Sequence, residues 1–86
     1  MQEPYFVYML ECADGTLYTG VTTNLTQRIA AHNTASSGAR YTKSRRPVAL
    51  RYHEEHPDKG AALKREYAVK QLTRLQKLAL INGKPV

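Results

Sequence analysis

A lone cysteine, Cys12, excludes an intrachain disulfide, and no set of cysteines and histidines has the spacing of a structural zinc site. Folding therefore rests on packing, and no disulfide-linked partner is expected. No apolar run approaches the ~20 residues that cross a bilayer, and the opening Met1-Gln2-Glu3-Pro4-Tyr5 lacks the basic start and long apolar stretch of a signal peptide. These absences predict a cytoplasmic protein with no membrane partner. Low-complexity tracts and internal repeats are missing too. A chain of 86 residues has room for one domain with one modest core, expected over about residues 4–82.

Acidic side chains are sparse where basic ones gather. Of a formal net charge of +6, much is concentrated: Arg40, Lys43, Arg45, Arg46 and Arg51 meet no acid between them, and beyond Asp58 the only acid is Glu66, set among Lys64, Arg65, Lys70, Arg74, Lys77 and Lys84. Such a distribution favours an anionic partner, because clustered like charges repel one another unless a polyanion neutralises them. Arg40, Lys43, Arg45 and Arg46 are therefore expected to contact a nucleic-acid backbone. Glu66, alone in basic surroundings, asks for a separate reason.

Tyr5-Phe6-Val7-Tyr8-Met9-Leu10 is aromatic and β-branched, Ala13-Asp14-Gly15 is turn-forming, and Thr16-Leu17-Tyr18-Thr19-Gly20-Val21 returns, which predicts a β-hairpin. A three-residue loop ending in Gly suits a type I turn closed by a left-handed residue, so Cys12 should pair with Thr16, Leu10 with Tyr18 and Tyr8 with Gly20. That register puts Tyr8 and Tyr18 on one face as diagonal neighbours about 7 Å apart, with the missing side chain of Gly20 leaving room beside Tyr8. A two-residue loop would separate the two phenols onto opposite faces.

Asn24 with Gln27 three residues on reads as a capping box for a helix buried through Leu25, Ile29 and Ala30, and on that helix Arg28 and His32 share a face. Residues 33–46 read as a loop or fragmentary helix, and Pro47 leads into a third strand over Val48–His53. Asp58 caps a second helix through Leu63, Glu66, Val69 and Leu72; Thr73 and Gln76 box a last one ending near Asn82-Gly83. His53 and His56 flank Glu54-Glu55 without a matching cluster elsewhere, so a surface turn is expected there, not a metal site.

The ordered set Phe6-Val7-Tyr8, Tyr18-Thr19-Gly20, Arg28, His32 and Glu66 resembles the GIY-YIG nuclease superfamily over nearly the whole chain. The likeness is strongest toward its stand-alone bacterial YhbQ-like group, through Leu17-Tyr18-Thr19-Gly20, Gly38-Ala39-Arg40 and the run from Glu66 to Thr73. Phe6, Val7 and Thr19 depart from the family's lettering at positions that serve the strand more than the chemistry. The resemblance implies an α/β domain: a small, mostly antiparallel three-stranded sheet flanked by three helices, with the site on one sheet face.

It also implies metal-dependent hydrolysis of DNA phosphodiester bonds in repair or recombination. A structural feature such as a nick, flap or branch would direct cleavage, since nothing here resembles an element that reads base edges. RNA stands as an alternative substrate, and a protein partner is expected to supply targeting. By resemblance Tyr8 is the general base, which requires its phenol, ordinarily at a pKa of about 10, to be lowered by cations and by a hydrogen bond from Tyr18 or His32. Arg28 suits the scissile phosphate, to which a guanidinium donates two hydrogen bonds. Glu66 would hold one divalent ion, Mg²⁺ in preference to Mn²⁺, because Mg²⁺ keeps several waters and takes a ligand from the substrate.

Family members place an Asn on the terminal helix; Asn82 lies at a compatible distance but near the helix end, and stays outside the expected site. Taken singly, each feature has a plainer explanation: paired tyrosines pack sheets, Arg28 and His32 form a solvated helix face, Glu66 pairs with Lys70, and Gly20 relieves crowding. Their order along one chain favours the site. The reading that competes from another class is a nucleic-acid-binding accessory protein with little or no activity.

Overall fold

The computed structural model describes residues 3–34 and 40–84, Arg40 by its backbone alone. Strand β1 (Tyr5–Glu11) turns back into β2 (Leu17–Thr22) as the loop chemistry dictates: the Cys12 N–H donates to Thr16 O at 2.8 Å, the Gly15 N–H to Cys12 O at 2.9 Å, and Gly15 takes φ +84°. The pairs Leu10↔Tyr18 and Tyr8↔Gly20 follow. Helix α1 (Leu25–Thr34), the single turn α2 (Arg40–Lys43), strand β3 (Ala49–His56), helix α3 (Lys59–Lys70) and helix α4 (Arg74–Ile81) complete the chain. The sheet is antiparallel throughout, in the order β2-β1-β3, so β1 lies in the centre.

A central strand with layers on both sides has no solvent face, and β1 shows it: Val7, Tyr8, Met9 and Leu10 are all buried. Tyr8, Leu10 and Cys12 form a cluster with Val48, against which Tyr18, Leu25, Ile29 and Leu50 pack, so α1 closes this face. Val7 and Met9 point the other way by strand alternation. Helix α3 lies against β1 and β2 and buries Ala62 and Val69 completely.

The helix ends follow their capping residues. The Asp58 carboxylate accepts from the Ala61 N–H, Thr73 and Gln76 close a reciprocal box, and α4 ends at Asn82 and Gly83, the latter at φ +75°. At α1 only half of the expected box forms. Asn24 Oδ1 accepts from the Gln27 N–H at 3.0 Å, but the Asn24 N–H donates to the Thr22 hydroxyl at 3.1 Å.

Strand β3 runs three residues beyond the expected His53, so the segment Glu54–His56 is strand where a turn was expected. The physical reason is that Glu54, on the half-buried face, finds partners there. Tyr52 Oη donates to it, Arg65 Nε lies 2.7 Å away and His56 Nε2 2.8 Å away. A carboxylate so satisfied no longer needs the solvent that would end the strand. Among the described residues no group of three or more His, Cys, Asp or Glu side chains is placed to hold a metal ion, and no helix is long and apolar enough to cross a membrane.

Helix α1 is tied to β3 by Asn33, whose Nδ2 donates to Val48 O at 3.1 Å and whose Oδ1 accepts from Val48 N at 2.7 Å. Val48 is buried, so both backbone groups lose their partner if the amide is removed. Asn33→Ala is expected to cost about 2 kcal/mol, read as a lower urea midpoint with unchanged m.

Candidate active site

Tyr8 projects from β1 across its cross-strand partner Gly20. A Cβ at position 20 would lie 2.5 Å from the Tyr8 Oη and 2.7 Å from Cζ. The phenol therefore occupies the volume that any other residue at position 20 would fill. Crowding beside Tyr8, the plainer reason for a glycine, and a place for the phenol turn out to be one requirement. Tyr18 stands on the same face, its ring centroid 6.4 Å from that of Tyr8.

The phenol ends at α1. Tyr8 Oη is 2.9 Å from His32 Nε2, so His32 and not Tyr18 is the hydrogen-bond partner, and the guanidinium of Arg28, one helical turn earlier, lies near enough to favour the phenolate. His32 is wholly buried, with its ring edge against Tyr18 at 5.1 Å between centroids and its Nδ1 2.7 Å from Thr42 Oγ1 on α2. Tyr41 extends this aromatic wall, 5.9 Å from Tyr18, and carries the Arg45 guanidinium over its ring at 4.0 Å.

Burial pushes the Tyr8 phenol above its ordinary value, against the lowering effect of the Arg28 hydrogen bond. Tyr18 and the carboxylate of Glu66, near enough to be felt, push the same way. The expected lowering is thus reversed in the free protein, because removing a phenolate from water outweighs one guanidinium. His32 goes the other way: burial, then Arg28 and Arg46, bring the imidazole down to about 4. At neutral pH the pair is a neutral phenol bonded to a neutral imidazole.

Glu66 leaves α3 half-buried and pairs with Lys70 one turn on, Nζ to Oε2 3.3 Å. The plain i,i+4 pair is therefore present, at the edge of the site. Arg28 also lines an open cavity of about 280 Å³ with Thr22, Thr23, Asn24, Gln27 and Ala31. Neutral hydrogen-bonding groups around one guanidinium make a seat suited to an anion.

Tyr8, Tyr18, Gly20, Arg28 and His32 thus come together, with Glu66 within electrostatic reach. The basic cluster is divided. Lys43 is exposed, but Arg45 pairs with Asp14 at 3.0 Å and Arg46 donates to the carbonyls of His32 and Ala31 at the end of α1. The Arg40 side chain, Gly38 and Ala39 lie outside the described residues. Thr42, Tyr41 and Asn33 were not singled out in the sequence. They sit in a segment without periodicity, and only the fold brings them to His32, Tyr18 and Val48.

Residues 4–79 of the chain match the GIY-YIG catalytic domain family. The chain belongs to it. Within the family its relatives are the UPF0213 proteins, the YhbQ-like group. It is 57% identical to a UPF0213 protein of Desulfotalea psychrophila, over 92% of this chain and 72% of that one. It is 53% identical to another from Halobacterium salinarum, over 88% and 97%. The solution structure of a UPF0213 protein from Bacillus halodurans superposes with a TM-score of 0.60 at 42% identity, covering 94% of this chain and 85% of that one.

Two outcomes follow from this geometry. Gly20→Ala must displace the Tyr8 ring, and is expected to destabilise by roughly 1–3 kcal/mol in thermal unfolding and to lengthen the contact with His32. The second concerns acid. Folded His32 titrates at about 4 and the unfolded imidazole at about 6.5, so the unfolded chain takes up a proton first. The contribution of His32 is fully present above pH 6.5 and is lost as pH falls toward 4, about 3 kcal/mol at most. His32→Gln should flatten the stability-against-pH curve over that window relative to wild type.

Proposed function

We propose that the chain is a phosphodiesterase of the nuclease type acting on DNA, with Tyr8 as general base, Arg28 as phosphate ligand and Glu66 as the single carboxylate for a divalent metal ion. The observation that carries this reading is the phenol itself. It is held over Gly20 and bonded to His32 at 2.9 Å, and Arg28, near enough to act on it, also lines an open, anion-suited cavity. A buried phenol needs one partner for its hydroxyl, which His32 supplies, and packing gives no further reason for a guanidinium beside it.

A phenol takes a proton from an attacking water only as it gives up its own. The acceptor is His32 Nε2, so the water proton would pass to Tyr8 as the Tyr8 proton passes to the imidazole, leaving hydroxide for phosphorus and an imidazolium behind. The free protein opposes this, with the phenol raised and the imidazole lowered. A phosphate seated on Arg28 neutralises the guanidinium, one cause of the low imidazole value, and so moves His32 toward accepting. The waiting state is thus inert until substrate arrives.

Glu66 suits Mg²⁺ better than a metal that demands a closed ligand set. It is one half-buried carboxylate whose present partner, Lys70, is half exposed and free to swing away. When bound there, such an ion would stabilise charge on the phosphoryl group and the leaving oxygen and cancel the Glu66 charge that raises the Tyr8 phenol. Exposed Lys43, Lys64, Lys70 and Arg74 offer backbone contacts that position without reading sequence. This supports a substrate defined by shape, such as a nick, flap or branch, in repair or recombination, with targeting left to a partner.

One observation favours the second reading, an accessory that binds nucleic acid without cutting: the raised phenol is no ready base. Labelled duplex, single-stranded, nicked, flap and branched DNA, with RNA counterparts, incubated in Mg²⁺ or Mn²⁺ and scored for cleavage and binding together, separates the two. Cutting is expected to depend on metal and to fall by about 10²-fold or more in Tyr8→Phe and Glu66→Ala, with binding retained. Salt-sensitive binding without cutting on any substrate would establish the accessory.

A further inference from the structure

We propose that Thr42 is a positioning residue of the site: its hydroxyl accepts the Nδ1 proton of His32 and thereby holds the Nε2 lone pair on the Tyr8 hydroxyl. The inference rests on the nuclease reading for its purpose, but its geometry stands apart from it. Both ring nitrogens of His32 are committed, Nε2 to Tyr8 Oη at 2.9 Å and Nδ1 to Thr42 Oγ1 at 2.7 Å, and all three side chains are buried.

The direction of the chain follows from its donor end. A guanidinium only donates, so Arg28 beside the Tyr8 oxygen offers no acceptor for its proton. The phenolic proton of the buried side chain then needs an acceptor, and His32 Nε2 is within reach. A neutral imidazole has one N–H, so an accepting Nε2 leaves the proton on Nδ1, facing Thr42. With the imidazole brought down to about 4, the ring holds a single proton at neutral pH and the choice of nitrogen is real. Tyr8, His32 and Thr42 thus form one directed series, with Arg28 beside its head.

The opposite tautomer would aim an N–H at the Tyr8 oxygen, which could no longer pass its proton to the ring. Thr42 guards against this, because a wrong histidine tautomer leaves geometry intact while disabling the base. Thr42 also belongs to α2, the turn that opens the basic segment, so the group that sets the tautomer lies where the nucleic-acid backbone is expected to dock.

The test is the ¹⁵N spectrum of the His32 ring in the full-length protein, assigned by difference against His32→Gln, for wild type, Thr42→Val and Thr42→Ser. Valine keeps the shape and removes the hydroxyl; serine restores it. The expected result is Nδ1–H alone in wild type and Thr42→Ser, and Nε2–H appearing beside it in Thr42→Val, where the Nδ1 proton has lost its acceptor. Cleavage of the best DNA substrate should fall by about 10²-fold in Thr42→Val and recover in Thr42→Ser.

Nε2–H in wild type, an unchanged tautomer in Thr42→Val, or full cleavage by a tautomer-shifted variant would overturn the proposal. Should Thr42→Val not fold, the wild-type and Thr42→Ser spectra decide alone: Nδ1–H in both supports it and Nε2–H in either sinks it. Absence of cleavage by wild type refutes the nuclease reading, and the tautomer spectra are read independently of it.

Discussion

The Tyr8 phenol crosses from the central strand over the backbone of Gly20 to a buried histidine on α1, and this hydrogen bond joins sheet and helix between two buried side chains. Much else is arranged around that crossing. The hairpin register matters because it sets Tyr8 opposite Gly20, and the register is fixed in turn by a three-residue loop with Gly15 left-handed. Tyr18 and Tyr41 shield the histidine edge, while Asn33 and Arg46 fix the end of α1 and so the depth at which the imidazole sits. A polar pair in a small core is costly unless each member is satisfied. Here the cost is met from both ends, by Arg28 on the phenol and Thr42 on the imidazole.

Positive charge serves two purposes in the chain, and proximity in sequence does not separate them. Arg45 and Arg46 are neighbours of Lys43 but turn inward, one to the hairpin turn through Asp14 and Tyr41, the other to the last carbonyls of α1. A cation at a helix C-terminus is favoured by the helix dipole, which accounts for Arg46 without any ligand. The same residue also lowers the His32 imidazole, so a structural arginine helps keep the site neutral. A charge run was legible as basic; which of its members reach solvent depended on carbonyls and carboxylates that only the fold supplies.

The hairpin and the Tyr8–Gly20 pairing were legible because turn length and strand alternation are local rules with few solutions. So were the caps Asp58 and Thr73, each read from its own neighbours. Arg28 and His32 on one helix face followed from helical spacing, but that His32 would be buried and bonded at both nitrogens did not, since Thr42 reaches it from another element. The phenol pKa was misjudged for a related reason. Cations nearby were visible in the sequence, whereas the desolvation that outweighs them is a property of the packed core. The strand extension through Glu54 escaped notice likewise, because its partner Arg65 comes from α3.

That last contact bears on Glu66, the proposed metal ligand. Arg65 and Glu66 are adjacent on α3, so fixing one constrains the other through the helix backbone. Glu54 holds Arg65 at 2.7 Å and is itself kept ionised, its carboxyl held below the ordinary range by the hydrogen bonds from Tyr52, Arg65 and His56 in spite of burial. Helix α3 meanwhile buries Ala62 and Val69 on either side of this pair. Two buried apolar contacts and one charge-assisted hydrogen bond leave the helix little freedom to rotate. Glu66 is therefore presented by a rigid element even though, among the described residues, its carboxylate pairs with Lys70 alone, a long and half-exposed side chain. A ligand carried on a fixed backbone with a displaceable counter-charge is what a metal that arrives with the substrate requires, since neither the helix nor the core must move when Lys70 gives way.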